Sequence, residues 1–311
     1  MEGIVVKSTG SWYEVETPEK ERILARLKGK FRIKGIKSTN PVAVGDRVNF
    51  HREGEEAVID KIFDRKNYII RRSINLSKQV QIIAANVDQL FLVVTLKNPQ
   101  TYLGFVDRFL VGAEAYRIPV VLVYNKIDLL ETEDEKAELK KWEAIYEKAG
   151  YEQLFVSAEK EIGLEALKEK MKGRLSIFGG HSGVGKSTLI NRLDPKLNLR
   201  TAEVSESHQS GKHTTTFAEM FELSFGAHII DTPGIKGFGN VEMQKEHLSH
   251  YFPEMRSRMN ECKFNNCIHI NEPNCMIKKA VANGEIAESR YFNYLSIYEE
   301  DESENYRQKG Y

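Results

Sequence analysis

The stretch Gly180-His181-Ser182-Gly183-Val184-Gly185-Lys186-Ser187-Thr188 has the residue types of a loop that wraps phosphates. Its glycines let backbone N–H groups turn inward, Lys186 can reach the β- and γ-phosphates of a nucleotide, and the Ser187 hydroxyl can ligate Mg²⁺. The apolar run Leu175 to Phe178 precedes it and the helical run Leu189 to Leu193 follows, so a helix N-terminus adds its dipole to the anion site. A second group, Asn125-Lys126-Ile127-Asp128, follows the apolar run ending at Tyr124. The Asp128 carboxylate can accept from the N1–H and the exocyclic amine of guanine, whereas adenine presents an acceptor at N1; a site built that way rejects the wrong base by ~10⁴–10⁵.

Three further groups complete a nucleotide machine. Ser157-Ala158-Glu159 follows the run Leu154 to Val156 and fits a loop that backs the base with N–H groups. Asp231-Thr232-Pro233-Gly234 follows His228 to Ile230; Asp231 suits the Mg²⁺ shell and the Gly234 N–H suits a γ-phosphate sensor. Thr214-Thr215-Thr216 offers a second hydroxyl to Mg²⁺, with Thr214 and Thr215 favoured and the choice between them open. The order is inverted relative to ordinary small GTPases, in which the phosphate loop comes first, and this points to a circularly permuted GTPase.

These residues need elements to hold them. From about Val87, apolar runs at Gln89 to Thr95, Pro119 to Tyr124, Gln153 to Val156, Leu175 to Phe178 and His228 to Ile230 alternate with helical stretches, which predicts a mostly parallel α/β sheet with ligands at its carboxyl edge. Residues 1–73 read as short strands with turns, a small β-barrel. Between Lys20 and Lys37, Arg26, Lys28, Lys30, Arg32 and Lys34 fall on one strand face and Leu27, Phe31 and Ile33 on the other. Charge alone leaves two readings of that face, a solvated surface or a polyanion contact. The expected division is 1–73 for the barrel, 74–240 for the nucleotide domain and 241–311 for a helical domain.

That last segment holds every cysteine of the chain, as Cys262-x₄-Cys267-x-His269-x₅-Cys275. Three thiolates and one imidazole have the number and softness of a closed tetrahedral Zn²⁺ site, structural and not catalytic. An odd cysteine count and the lack of a long apolar run lead us to expect a reduced, cytoplasmic protein with no membrane partner. Lys+Arg and Asp+Glu both total 45, so bulk charge announces no nucleic-acid partner.

The five nucleotide groups in the order 125, 157, 180, 214 and 231, the segment Gly211-Lys212-His213-Thr214-Thr215-Thr216 and the terminal Cys/His group resemble the family of ribosome small subunit-dependent GTPase A, also called RsgA or YjeQ. The resemblance spans nearly the whole chain. It implies a multidomain α/β protein with an N-terminal OB-type barrel, a central permuted P-loop GTPase domain and a C-terminal α-helical zinc-binding domain. It further implies GTP hydrolysis during late small-subunit assembly, stimulated by the small ribosomal subunit, with rRNA contacts by the barrel; we expect a monomer.

One departure bears on the chemistry. Ile235 stands where Ras-like enzymes carry a water-orienting glutamine, so intrinsic hydrolysis is expected near or below ~10⁻³ s⁻¹. His213 and His181 are the candidates for positioning water. A permuted GTPase of another RNA particle and an RNA-binding nucleotide sensor with negligible turnover are the competing readings.

Overall fold

The computed structural model describes residues 1–27, 41–54, 56–72, 80–197, 218–231 and 244–300. In chain order the strands and helices are β1 (Glu2–Ser8), β2 (Tyr13–Glu16), β3 (Arg22–Leu27), β4 (Arg47–Glu53), β5 (Glu56–Ile62), β6 (Tyr68–Arg72), β7 (Val80–Ala85), β8 (Gln89–Val94), α1 (Leu103–Ala115), β9 (Val120–Tyr124), α2 (Glu133–Lys148) and β10 (Glu152–Phe155). There follow α3 (Leu164–Met171), β11 (Leu175–Gly179), α4 (Lys186–Leu193), β12 (Glu219–Glu222), β13 (His228–Asp231), α5 (Pro253–Arg256), α6 (Met276–Ala282) and α7 (Glu288–Glu299). They form two compact units. One gathers Met1–Leu90, Glu165–Gly179 and Ser187–Gly237, and the other Phe91–Leu164, Gly180–Lys186 and Phe238–Tyr311.

In the first unit, alternation of apolar and polar residues bends five strands into a closed barrel. The pairings run β1-β2-β3-β5-β4 and return to β1, and β3–β5 is the parallel pair. Val5, Tyr13, Val15, Ile23, Ala25, Val48, Phe50, Ala57 and Ile59 fill the interior. Gly3 lies at a close approach: a Cβ there would stand 2.5 Å from a methyl of Val15 and 2.8 Å from the Glu16 carbonyl oxygen, so any side chain would prise β1 from β2. β3 ends at Leu27, so of the residues read as a basic strand face only Arg26 lies in it, and Lys28, Lys30, Arg32 and Lys34 lie outside the described residues. Arg26 does face outward, but it is paired with Glu53 at 3.0 Å and Glu56 at 3.6 Å, so its charge is locally balanced.

The same unit carries β11, β13 and β12. β11 and β13 are parallel, while β12 runs antiparallel to β13 and reaches the barrel by pairing Lys7 with Glu219. The part-buried ion pair Lys7–Glu219 at 3.1 Å and the exposed pair Lys20–Glu222 at 2.8 Å flank that seam, the latter worth about 0–1 kcal/mol.

β8, of which Phe91–Val94 belongs to the second unit, and β9 of that unit are buried along their whole lengths, as uninterrupted apolar strands of a covered sheet must be, and β10 pairs in parallel with β9. α2 starts at a capping box in which Thr132 Oγ1 accepts from the Glu135 N–H and Glu135 accepts from the Thr132 N–H. The C-terminal helices pack on α1: Val111 joins Phe252, Met255, Ile277, Ile286 and Tyr294 in one apolar cluster.

Beneath that cluster lies a charge network. Arg290 of α7 is 1 % exposed and donates to Glu254 Oε1 at 2.7 Å, Glu254 Oε2 at 2.9 Å and Asp107 Oδ1 of α1 at 2.7 Å. The Tyr146 hydroxyl and the Asn293 amide donate to the same Asp107 carboxylate. No helix among the described residues is long and apolar enough to cross a membrane.

Candidate nucleotide site and metal centre

β11 ends at Gly179, the chain turns through Gly180–Gly185, and α4 begins at Lys186. Two glycines of the turn are required by contact. A Cβ on Gly180, at φ +130°, would lie 2.3 Å from the Val93 carbonyl oxygen, and one on Gly185, at φ +92°, 2.5 Å from the Asn125 side-chain nitrogen. Lys186 Nζ lies across the loop, donating to the carbonyls of Gly180 at 2.7 Å and His181 at 2.8 Å. Val184 is fully buried under the loop, and Ser182 and Gly183 are exposed at its crest.

The guanine-type group sits beside this loop and fastens it. Asn125, 3 % exposed, donates its amide to the Val184 carbonyl at 2.8 Å and accepts from the Ala158 N–H at 3.2 Å. One side chain therefore links the phosphate loop to the Ser157-Ala158 loop. Lys126 adopts the left-handed conformation, φ 62°, which aims Nζ at the Gly183 carbonyl, 2.9 Å away, and at the Asn98 carbonyl. Burial holds its pKa below the usual lysine range.

Ile127 and Asp128 lie in a 3₁₀ turn, and Asp128 Oδ1 is buried with no hydrogen-bond partner among the described residues. A buried carboxylate oxygen left unmade is costly and calls for a donor, which guanine supplies twice. Ser157 is fully buried; its Oγ accepts from the Lys160 N–H at 3.0 Å, and reciprocal bonds with Ile162 close the loop.

Ser187 and Thr188 occupy the first turn of α4, and Asp231 ends β13. Desolvation, and then Glu219 directly across the strand pair, hold the Asp231 carboxyl above its ordinary range, a cost that a hard cation bound by oxygen ligands would relieve. His213, Thr214, Thr215, Gly234 and Ile235 lie outside the described residues. Sequence reasoning passed over the segment Thr95 to Thr101, whose Asn98 carbonyl meets Lys126. Its only signal is that it follows the buried strand β8, at the sheet edge where ligands bind.

The four ligand atoms of Cys262, Cys267, His269 and Cys275 lie within 4.8 Å of one another. His269 turns Nδ1 to the sulphurs, 3.3 Å from Cys275 Sγ and 3.7 Å from Cys262 Sγ. Zn–S and Zn–N bonds at tetrahedral angles place such atoms roughly 3.5 Å apart, so the donor set fits zinc. Burial pushes the Cys267 thiol up to about 12 and raises Cys275 as well, so a cation is what would hold them as thiolates. The ligand loop is braced from outside: Glu272 accepts from the Ile268 and Ile270 N–H groups at 2.7 and 2.9 Å, and the Tyr291 hydroxyl of α7 donates to the His269 carbonyl at 2.7 Å.

We expect Cys275→Ser to reduce zinc, measured by elemental mass spectrometry, from about one atom per chain to below about 0.1, and to unprotect the amides between Cys262 and Arg290 in hydrogen exchange. Retention of metal and protection would remove Cys275 from the ligand set.

Comparison with known proteins settles the family. The profile of the RsgA GTPase family matches residues 62–241, and that of the RsgA N-terminal domain matches residues 2–59. The chain belongs to the RsgA family. Among its RsgA relatives, the small ribosomal subunit biogenesis GTPase RsgA of Christiangramia forsetii is 56% identical over 100% of this chain and 99% of its own. That of Bacteroides fragilis is 52% identical over 99% of both chains. Among solved structures, YjeQ from Thermotoga maritima aligns with a TM-score of 0.77 at 40% identity over 96% of each chain. YloQ, described as a circularly permuted GTPase, aligns at 0.75 with 28% identity over 100% of this chain and 96% of its own. The RsgA fold thus has the permuted order read from the motifs: a five-stranded N-terminal barrel, a permuted GTPase core and a C-terminal Cys/His group able to hold zinc.

Proposed function

We propose that this protein binds the small ribosomal subunit in its GTP state, hydrolyses GTP to GDP and phosphate during late subunit assembly, and leaves after hydrolysis. The observation that carries the nucleotide half is the buried, unpartnered Asp128 Oδ1 beside a phosphate loop clamped by Asn125 and Lys126. The ribosomal half rests on relatives named small ribosomal subunit biogenesis GTPase at 56% and 52% identity over nearly whole chains.

In this reading Asp128 selects guanine, the Ser157-Ala158 loop backs the base, and the loop Gly180 to Thr188 wraps the phosphates with Lys186 on the β- and γ-groups. Mg²⁺, held by Ser187, Asp231 and Thr214 or Thr215, would neutralise charge developing on the phosphates. The Gly234 N–H senses the γ-phosphate, and His213 positions the attacking water. Zinc held by Cys262, Cys267, His269 and Cys275 is structural, and the barrel meets rRNA. The protein acts as a monomer in the cytoplasm. The names of the relatives favour turnover over a pure sensor.

The test is steady-state GTP hydrolysis by purified protein alone and with small subunits, large subunits or whole ribosomes, over a salt series. A basal rate near or below ~10⁻³ s⁻¹, stimulation by small subunits alone, and loss of that stimulation with salt are expected. Stimulation by no particle would replace this reading with the sensor, and stimulation by large subunits would reassign the partner.

A further inference from the structure

The sequence makes His181 a candidate to orient the attacking water, but both of its ring nitrogens are already committed. Nδ1 lies 3.1 Å from the Ser182 carbonyl oxygen, which can only accept, so Nδ1 carries the proton. Nε2 is then an acceptor, 2.7 Å from Thr101 Oγ1. The Thr101 hydroxyl is oriented in turn, since it accepts from the Thr95 N–H at 3.0 Å and has its one proton left for His181. Phe105 of α1 meets the imidazole edge to face, with ring centres 5.3 Å apart at 86°.

Thr101 belongs to a segment that lies along the phosphate loop. Thr95 Oγ1 donates to the Pro99 carbonyl and the Thr101 N–H to the Thr95 carbonyl at 2.8 Å, so the segment is closed on itself. The Pro99 ring stands 3.3 Å from where a Cβ on Gly183 would be, and the Asn98 carbonyl takes the Lys126 amine. Lys97 donates to Glu135 at 2.7 Å, anchoring the segment's start to α2. Thr101 itself is 1 % exposed.

We infer that His181 and Thr101 form a latch that fixes the first half of the phosphate loop in its phosphate-binding shape, so that His181 is a positioning residue for nucleotide binding and does not orient water. Asn125 and Lys126 fasten the loop at Val184 and Gly183; the latch fastens it at its second residue, ahead of both. Loss of the latch leaves the loop's N–H groups free to leave the phosphates, which weakens GDP and GTP alike because the β-phosphate is common to both. Burial, the main cause, and the nearby Lys186 and Lys126 amines hold the His181 pKa below its ordinary value, which keeps Nε2 an acceptor at neutral pH.

The inference rests on reading Gly180 to Ser187 as a phosphate loop, and nucleotide binding by the unchanged protein tests that reading separately. Affinities for GDP and for a non-hydrolysable GTP analogue are measured by calorimetry for His181→Ala, Thr101→Val, their double variant, Thr101→Ser and His181→Gln, with single-turnover hydrolysis at saturating GTP beside them. One lost hydrogen bond predicts a roughly 3- to 10-fold weakening for both nucleotides in each single variant. The double variant should be no weaker than either, Thr101→Ser and His181→Gln should restore affinity, and the single-turnover rate should stay within about 3-fold. Unchanged affinity with lost turnover in His181→Ala would return the residue to the water. Full affinity in Thr101→Val, multiplication of the two effects, or no rescue by Thr101→Ser would each overturn the latch. Melting temperatures identify any variant whose loss is one of folding, and Thr101→Ser, which keeps the hydroxyl, remains decisive in that case.

Discussion

Replacing Arg290 by Ala should cost about 3–5 kcal/mol in the unfolding of the unit that contains α1, α2 and the C-terminal helices. The wild-type guanidinium is buried against two carboxylates and stacks over Phe252, its carbon 4.7 Å from the ring centre. Without it, Asp107 and Glu254 face each other's charge, with Tyr146 and Asn293 left as the donors to Asp107 among the described residues. Even in the intact protein burial holds the Asp107 carboxyl above its ordinary range, against the opposing pull of Arg290. A folded-state pKa above the unfolded one favours folding below the unfolded value, and that advantage is lost as pH rises through the folded value. Removal of Arg290 takes away the opposing pull and moves the folded value further up, so the deficit of the variant should grow as pH rises above the unfolded carboxyl range and shrink as pH falls back toward it. Urea melts read through Trp142, with Trp12 replaced by Phe to silence the barrel, would measure it. Adding Asp107→Asn should recover part of the loss. A deficit below about 1 kcal/mol that is flat with pH would mean the network is idle.

Asp128→Asn should weaken GTP and GDP binding by roughly 10²–10⁴-fold, from two lost bonds to a charged acceptor at about 1.5–3 kcal/mol each. Asn keeps one uncharged carbonyl acceptor for one base donor and sets an amide donor against the other, so one contact is weakened and the other becomes repulsive. Xanthine carries a carbonyl in place of that exocyclic amine and should recover much of the affinity in the variant. Calorimetry with GDP, XDP and ADP distinguishes the outcomes: equal GDP binding by both proteins would take Asp128 out of base recognition, while a gain for ADP would show that the pocket reads shape alone.

Much of the architecture is legible in the chain because its signals are local. The apolar runs ending at Thr95, Tyr124, Val156, Phe178 and Ile230 correspond to β8, β9, β10, β11 and β13 to within a residue or so at most ends. Full burial along β8 and β9 leaves a run of apolar residues that needs no partner to be seen. β12, Glu-Met-Phe-Glu, carries no such run, and its antiparallel pairing with β13 emerges only in three dimensions. The motifs announced what kind of ligand to expect but not how the side chains share the work. Asn125 reads as part of a base-recognition motif, yet its amide spans two loops; Thr101 belongs to no motif at all. Arg290, an ordinary cation on a polar helix, meets Asp107 from 183 residues away, and periodicity cannot report an ion pair of that span.

That span also sets a clock. A chain made at roughly 5–20 residues per second brings out Arg290 about 9–37 s after Asp107. For that interval α1 carries a carboxylate destined for burial, and its partner does not yet exist. Until then the second unit has reason to stay open around α1, so its closure should wait for α7.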